Sequence, residues 1–234
     1  MIDLHSHILP GIDDGAPDFD TSLLLVRELA NGGVTDVFAT PHYIEETIYT
    51  SPRGDNKKLL SKLQKRINDA GISVKVHLGN EIYICKGIDG LLKSGVISSM
   101  GGSSCLLVEL PMSGDFPGYA DIFLELLRDG YKVVLAHPER YTAFAKDFSL
   151  ISELCEMGVL MQCNIGSFAG QYGKTVFKLA RKMAKNKMIW AVGSDIHHVH
   201  GDDFIPNAVK KLAKFYTDEE LDTILNRNPK MILE

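Results

Sequence analysis

The 234-residue chain has few cysteines, and no two of them form a Cys-x-x-Cys pair. They are Cys85, Cys105, Cys155 and Cys163. Thiols scattered in this way are typical of reduced side chains in the cytoplasm and do not indicate a disulfide framework. The N-terminal residues MIDLHSH are too polar for a signal peptide, and no apolar run approaches the length of a membrane-spanning helix. We therefore expect a cytoplasmic protein without membrane insertion.

The chain has fewer basic than acidic residues, with 25 Lys and Arg against 30 Asp and Glu. The formal net charge is −5, which argues against a general nucleic-acid-binding surface. It does not exclude an anionic substrate, because bound metal ions can supply positive charge locally. The chain contains no low-complexity segment and no obvious linker, and its 45% hydrophobic and 24% charged content is typical of a globular protein. We predict a single domain over residues 1–234.

Strand and helix patterns alternate along the whole chain. Apolar, β-branched runs predict strands from Ile2 onwards and at 34–40, 73–78, 105–110, 132–136, 159–163 and 188–192. Apolar residues at helical spacing predict helices at 19–33, 57–70, 87–93, 119–129, 150–157, 175–184, 206–215 and 218–225. Asp18 or Asp20 is expected to cap the first helix, and Thr217 the last. About seven strands alternating with helices predict a parallel, barrel-like α/β fold.

A His-x-His pair lies on the first predicted strand. Residues i and i+2 of an extended segment point to the same side, so His5 and His7 can present two imidazoles to one point. The carboxylates of Asp13 and Asp14 follow in the next loop. Imidazole and carboxylate without thiolate suit a divalent ion such as Mn, Fe or Zn. The alternative is that two surface histidines fall near the N-terminus by chance, as short motifs often do.

Further metal-competent side chains lie at the carboxyl ends of other predicted strands. They are His42, Glu81, Glu109, His137, Asp195 and His197. In barrels of this type the active site lies at that end of the strands. His42 or His137 alone could be an ordinary polar loop residue, but Glu109 ends an apolar run and is costly to bury without a partner. Their joint placement favours a metal site.

Six motifs together resemble the polymerase-and-histidinol-phosphatase (PHP) superfamily. They are MIDLHSHILPGIDDG, ATPH, GNEIY, LLVELP, AHPERY and GSDIH, and they span essentially the whole chain. More narrowly, the chain resembles the bacterial metal-dependent protein-tyrosine-phosphatase branch of that superfamily, which is found with capsule and exopolysaccharide synthesis. The resemblance implies an α/β fold of the PHP type, a distorted seven-stranded (β/α) TIM-like barrel.

The resemblance also implies a site with three divalent ions, most often manganese, with Fe, Zn or Mg as alternatives. The implied ligands of the first ion are His5, His7, Glu81 and Asp195. Glu81 would bridge to a second ion that is also held by Glu109 and His137. The third ion would be held by Asp14, His42 and His197. Arg140 would bind the phosphate, and we predict that Arg140, Asp195 and His197 take part in catalysis.

The chemistry of phosphate-monoester hydrolysis agrees with such a site. Clustered cations lower the pKa of a shared water, so that hydroxide forms near neutral pH, and they stabilise phosphoryl charge. Arg140 adds a bidentate donor, although a surface salt bridge, for example with Glu139, is the alternative for this residue. A cysteine-based tyrosine phosphatase needs an arginine six positions after the cysteine. Those positions hold Leu91, Pro111, Met161 and Ala169, so a phosphocysteine intermediate is not expected.

The chain departs from the related sequences in one respect. They often place a second phosphate-binding arginine shortly after the last Asp-x-His, but residues 195–203 contain none. His198, His200, Arg53 or Lys174 could substitute, or these could be solvated loop residues. The general acid is not assigned.

We predict a metal-dependent phosphatase. By resemblance, its substrate is phosphotyrosine on the tail of an autophosphorylated bacterial tyrosine kinase that controls polysaccharide export. Two alternatives stay open. One is a small-molecule phosphatase of the histidinol-phosphate type, and the other is a non-catalytic regulator that binds a phosphopeptide without hydrolysing it.

Overall fold

A computed structural model describes residues 1–114 and 118–234 as an α/β protein. The strands are β1 Ile2–Ser6, β2 Asp36–Ala39, β3 His42–Tyr43, β4 Lys75–Leu78, β5 Glu81–Tyr83, β6 Cys105–Glu109, β7 Lys132–Ala136, β8 Leu160–Asn164 and β9 Ala191–Gly193. The helices are α1 Phe19–Asn31, α2 Arg53–Asp69, α3 Ile88–Lys93, α4 Tyr119–Arg128, α5 Thr142–Lys146, α6 Ser149–Met157, α7 Ile165–Ala169, α8 Gly173–Lys185, α9 Phe204–Leu212, α10 Asp218–Asp222 and α11 Asn228–Lys230. None of these helices is long and apolar enough to cross a membrane.

The strand pairs are all parallel and form a curled sheet of six strands beside a sheet of three. The larger sheet has the order β3-β5-β6-β7-β8-β9 and the smaller β1-β2-β4. The chain passes from the small sheet to the large one twice, from β2 to β3 across Thr40–Pro41 and from β4 to β5 across Gly79–Asn80. Proline has no N–H for a strand ladder, so Pro41 interrupts the first of these segments.

β1, an edge strand of the smaller sheet, lies beside β9, an edge strand of the larger sheet. The Asp195 N–H donates to the His5 carbonyl at 2.8 Å, and the His7 N–H donates to the Ile196 carbonyl at 3.1 Å. Ser6 forms an isolated parallel bridge with Ile196. The beginning of the chain and a segment near residue 195 are thereby held side by side.

Alternating strand residues fill two separate apolar clusters. Leu106 and Val108 of β6 belong to the large cluster between sheet and helices, whereas Cys105 and Leu107 belong to a smaller cluster on the other face. A strand buried on both faces has a continuous apolar sequence, as β6 does. Glu109 follows Leu107 by two residues, so the pleat directs its carboxylate to the face of the smaller cluster.

Helix caps mostly follow the sequence prediction. Asp18, not Asp20, caps α1 by accepting a hydrogen bond from the Thr21 N–H at 2.8 Å. Thr217 caps α10 in a reciprocal capping box with Glu220, as predicted. The helix predicted at 57–70 begins four residues earlier, at Arg53 directly after Pro52.

Several predicted boundaries were wrong. The strand predicted at 188–192 is Ala191–Gly193, and at the predicted start the Met188 N–H still donates to the Met183 carbonyl of α8. The last two predicted helices each break their hydrogen-bond pattern, the first into a 3-10 turn at Ala213–Phe215 and the second into a π turn at Thr223–Arg227. The short helices α5 and α7 were not predicted, since five residues are too few to show a helical period.

Candidate metal centre

Four side chains from three strand ends meet at one point. His5 Nε2 lies 3.1 Å from His7 Nε2, 3.2 Å from Glu81 Oε2 and 3.5 Å from Asp195 Oδ1. His7 Nε2 lies 3.4 Å from the same two carboxylate oxygens. All four residues are buried. We call these side chains the first cluster.

The spacing of these atoms fits a metal ion. Four ligands at about 2.0–2.1 Å around a tetrahedral ion are separated by about 3.4 Å from each other. The measured distances of 3.1–3.5 Å match that separation. Two imidazoles and two carboxylates are donors that Mn, Fe or Zn accept.

Glu81 connects the first cluster with a second one. While its Oε2 faces His5 and His7, its Oε1 lies 2.8 Å from His137 Nε2. Glu109 Oε1 lies 3.7 Å from the same nitrogen. Glu81, Glu109 and His137 form the second cluster. A carboxylate that presents one oxygen to each of two ligand groups has the arrangement of a bridging ligand.

A third cluster is formed by Asp14, His42 and His197. Asp14 Oδ1 lies 3.5 Å from His42 Nε2 and 3.3 Å from His197 Nε2. The His197 ring stacks on the ring of His7 at a centroid distance of 4.0 Å. His42 also faces the second cluster, because its Nδ1 lies 3.8 Å from Glu109 Oε2. All nine predicted ligand residues therefore lie in one continuous group.

Three buried polar atoms within this group, Glu81 Oε2, His42 Nδ1 and His137 Nδ1, lack a hydrogen bond among the described residues. Glu81 Oε2 and His42 Nδ1 lie only 2.9 Å apart, yet neither has a hydrogen-bond partner of acceptable geometry. Leaving buried polar atoms unpaired costs about 1–3 kcal/mol each. A cation accepting both lone pairs would remove that cost, so the donor set fits a metal centre.

Further side chains hold the ligands in place. Asp13 Oδ2 lies 2.8 Å from His7 Nδ1, and Gln162 Oε1 lies 3.0 Å from His5 Nδ1. The Asn164 amide donates to Asp195 Oδ2 at 2.6 Å. Such contacts to the remote ring nitrogen fix the tautomer and orientation of a metal-ligating histidine.

Asp13, Gln162 and Asn164 had no predicted role. A signal for the last two was present, because two polar residues at i and i+2 interrupt an otherwise apolar strand. Asp13 stands beside Asp14, and the spacing alone could not tell which carboxylate faces a histidine ring and which faces the open site.

Arg140 lies at the site and pairs with Asp195. Its Nη1 donates to Asp195 Oδ2 at 2.7 Å, and its guanidinium lies 4.7 Å from the centre of the Tyr172 ring. Glu139 is buried on the other side, where it accepts hydrogen bonds from the Asn164 N–H and the Ser167 hydroxyl. The alternative of a surface pair between Arg140 and Glu139 is therefore wrong.

The charges of the clusters shift the pKa values of their members. Burial lowers the pKa of His5, but the carboxylates of Glu81 and Asp195 outweigh it and raise that pKa to about 9. Burial and the charge of Glu81 raise the pKa of Glu109 to about 7. The hydrogen bond from His197 lowers the pKa of Asp14 to about 2. Metal ions and protons compete for such groups, so metal binding would release protons.

The backbone is unusual at two ligands. His137 and Asp195 have positive φ angles of 34° and 51°, which non-glycine residues rarely adopt. Gly193 allows β9 to approach β1, because a Cβ there would lie 2.6 Å from His5 Cβ and 2.9 Å from Gln162 Nε2. Close backbone approach and strain of this kind are frequent at functional sites.

None of the four candidates for the missing arginine joins the clusters. His198 is exposed, with its ring 6.2 Å from that of His197. His200 stacks on Phe204. Arg53 lies against Gly95, and Lys174 is exposed at the start of α8. In the described residues, the cation beside the ligands is Arg140.

Parallel strands with histidines and carboxylates at their carboxyl ends, joined by a bridging carboxylate, are typical of metal-dependent hydrolases. The fold and the site place this chain in that class.

Comparison with known proteins narrows the class to a family. The family model for capsular polysaccharide synthesis proteins of the CpsB/CapC type matches residues 1–234, and the chain belongs to this family. Tyrosine-protein phosphatase YwqE of Bacillus subtilis is 31% identical over 234 residues, covering 100% of this chain and 91% of YwqE. Tyrosine-protein phosphatase CpsB of Streptococcus pneumoniae is 25% identical over 239 residues, covering 100% and 98%.

Solved structures of related proteins superimpose on this chain. A crystal structure from work on YwqE and CpsB, described as unique metal-dependent tyrosine phosphatases, superimposes with a TM-score of 0.92 at 31% identity, covering 100% of this chain and 94% of the other. A histidinol phosphate phosphatase of Lactococcus lactis, solved with zinc, L-histidinol and phosphate, reaches a TM-score of 0.59 at 15% identity, covering 91% and 92%. The second match shows a likeness of fold. The predicted resemblance is confirmed.

Proposed function

We propose that the chain is a metal-dependent phosphatase that hydrolyses phosphotyrosine on protein. The observation that carries this proposal is the arrangement of Glu81, whose two oxygens face two groups of ligands beside the guanidinium of Arg140. The activity of the named relatives supports it. No residue of the proposed mechanism is a cysteine.

The three clusters would hold up to three divalent ions, for which manganese is our first candidate. His5, His7, Glu81 and Asp195 would hold one ion, and Glu81, Glu109 and His137 a second. Asp14, His42 and His197 would hold a third. When bound, such ions stabilise negative charge on the phosphoryl group and make a nucleophile available from water near neutral pH.

Arg140 would bind the phosphate oxygens. Its planar guanidinium can donate two parallel hydrogen bonds to one phosphate, and the Tyr172 ring holds that plane in place. Asp195 joins the phosphate-binding side to the first cluster, because its Oδ1 faces His5 and its Oδ2 faces Arg140. His197 would fix the orientation of Asp14 through their contact at 3.3 Å.

The rim of the site supports an aromatic substrate within a protein. The Tyr49 ring stacks on the ring of His42 at 5.8 Å. The adjacent Ile48 is 86% exposed, and Val199, two residues after His197, is 52% exposed. Exposed apolar side chains beside a polar centre favour a phosphoryl group on an apolar body over a sugar or amino-alcohol phosphate.

The finer features of the fold belong to the same proposal. If β2 with β3 and β4 with β5 are each counted as one interrupted strand, residues 1–114 and 118–234 contain seven strands. We propose that these form a distorted (β/α) barrel of the PHP type, and that residues 1–234 are one catalytic domain that acts in the cytoplasm.

Phosphate release from a tyrosine-phosphorylated peptide tests the function. We expect release with added Mn²⁺, loss of release after chelation, and no effect of a thiol-alkylating reagent. Rapid release from histidinol phosphate with none from the peptide would replace the proposal by the small-molecule alternative. Peptide binding without release from any ester would favour the non-catalytic regulator.

A bacterial tyrosine kinase of capsule or exopolysaccharide synthesis is the proposed partner. The CpsB/CapC family assignment supports this choice. The test is dephosphorylation of an autophosphorylated kinase tail by the wild-type chain and by the Arg140→Gln variant. Equal loss of phosphate with both proteins would contradict the proposed role of Arg140.

A further inference from the structure

A separate cavity of about 300 Å³ lies at the outer edge of β4. We call it the β4-edge cavity. Its lining includes Arg53 and Lys57 of α2, His77 of β4, and Ser98 and Ser99 of the loop that precedes β6. None of these residues is a predicted metal ligand. The volume lies at the lower end of small-molecule pockets, which are about 300–1,000 Å³.

The cavity exists because strand pairing changes at Gly79–Asn80. β4 is the edge strand of the smaller sheet, whereas β5, directly after it, pairs with β6 in the larger sheet. The 3-10 turn Met100–Gly102 lies against β4 in place of a strand. A turn fills such an edge less completely than a paired strand would, and the remaining space opens between α2 and the turn.

The charge of the cavity is positive. Among the described residues, no carboxylate lines it, and neither Arg53 nor Lys57 forms a salt bridge. The neighbouring Lys58, by contrast, is paired with Asp55 at 2.9 Å. His77 is held by Asp36 at 2.9 Å and adds no free charge. Two cationic residues without a salt-bridge partner in the described part of the chain therefore line one small cavity.

A buried hydroxyl provides independent evidence for a ligand. Ser98 is 5% exposed, and its Oγ has no hydrogen-bond partner among the described residues. Buried hydroxyl groups are nearly always paired in folded proteins, so an unpaired one in a residue that lines a cavity indicates a missing partner. A hydroxyl, an ammonium and a guanidinium together are the donors that bind oxyanions.

We propose that the β4-edge cavity is a second oxyanion site, distinct from the metal centre, which takes inorganic phosphate or the phosphate group of a small ligand. Arg53 and Lys57 neutralise the charge of the anion, and Ser98 donates a hydrogen bond to it. This inference does not depend on the proposed phosphatase activity.

The cavity is connected to the metal centre through Asn80. The Ser98 N–H donates to Asn80 Oδ1 at 2.8 Å, and Asn80 Nδ2 donates to the Pro41 carbonyl at 2.9 Å. Asn80 precedes Glu81, and Pro41 precedes His42. An anion that contacts Ser98 is therefore linked through Asn80 to the residues that precede two predicted ligands.

Calorimetric titration of the Mn²⁺-loaded protein with inorganic phosphate tests the site. We expect Arg53→Gln/Lys57→Gln to bind one equivalent of phosphate fewer than the wild type, and Ser98→Ala to bind the same equivalent about tenfold more weakly. Lys58→Gln is the matched control on the same helix and should titrate like the wild type. Circular dichroism checks that each variant is folded.

A second titration distinguishes a free phosphate ion from the phosphate group of a larger ligand. Phenylphosphonate, which carries an organic group and cannot be hydrolysed as an ester, should compete for the site if the cavity takes the phosphate group of a larger ligand. Binding of inorganic phosphate alone would restrict the site to the free anion. Equal stoichiometry and affinity in the wild type and in Arg53→Gln/Lys57→Gln would overturn the proposal, whatever the result of the peptide assay.

Discussion

Asp13 offers a sharp test of the metal centre, because it touches the clusters without being a predicted ligand. One oxygen lies 2.8 Å from His7 Nδ1 and also accepts from the His42 N–H at 3.3 Å, while the other accepts from the Gly15 N–H at 3.0 Å. Asp13→Asn keeps an oxygen acceptor for the backbone but removes the negative charge beside His7. Loss of such a partner typically weakens metal binding about 10–100-fold, or about 1.4–2.7 kcal/mol.

Asp13→Ala separates this effect from stability. Without the carboxylate, the N–H groups of Gly15 and His42 lose their acceptor, at a cost of about 1–3 kcal/mol each. For a chain of this size, 1 kcal/mol corresponds to about 2–4 °C in Tm. We therefore expect Asp13→Ala to have a lower Tm than the wild type even in chelator, whereas Asp13→Asn should differ mainly in its Mn²⁺ affinity.

Mn²⁺ titration with metal analysis of the dialysed protein measures the affinity, and thermal unfolding with chelator measures the stability of the metal-free chain. Asp36→Asn is the matched control, because Asp36 pairs with His77 at the same kind of distance, 2.9 Å, but outside the three clusters. Wild-type Mn²⁺ affinity in Asp13→Asn, or an equal loss in Asp36→Asn, would refute the assigned role of Asp13.

Three further expectations concern the same site. Chelation should lower the Tm by about 5–10 °C, since an ion present at 100 times its Kd stabilises the fold by about 2.7 kcal/mol; an unchanged Tm would argue that the ions contribute nothing to folding. Gly193→Ala should cost about 1–3 kcal/mol in unfolding experiments, because its Cβ would lie 2.6 Å from His5 Cβ; wild-type stability would show that β9 can move away. Arg140→Lys should lower kcat/KM on the phosphopeptide about tenfold or more with unchanged Mn²⁺ stoichiometry, because lysine lacks the planar fork; wild-type kcat/KM would exclude bidentate phosphate binding.

The alternation of strands and helices could be predicted because each long element carries its own period or a buried apolar run. β6 and β7 are such elements, and their positions match the prediction closely. The short strands β3 and β5 could not be found in the same way. Each consists of two or three residues directly after the point where the chain passes from the smaller sheet to the larger one. They are strands only because they pair with the neighbouring strand of the larger sheet.

The ligand residues could be predicted from their positions at strand ends, and the structure brings all nine together. Their assignment to separate ions came from the resemblance. The structure adds that the two ring nitrogens of His42 face two different clusters. Residue spacing in the sequence could not predict this arrangement. The supporting contacts of Gln162 and Asn164 depend on the approach of β8 to β1 and β9. Gln162 is more than 150 residues away from His5 along the chain, and local sequence patterns do not show that two such distant residues are in contact.

The meeting of β1 with the segment at Asp195 has a consequence for how the protein matures. His5 and His7 leave the ribosome long before Asp195 and His197, which lie far along the chain from them. The first cluster can therefore be completed only after Asp195 has been synthesised, so metal cannot be loaded there before the nine described strands have been made. A chain that stops before residue 195 would keep all nine described strands and still lack a complete first cluster, which makes bound metal a report on whether synthesis has passed Asp195 and the strands have come together.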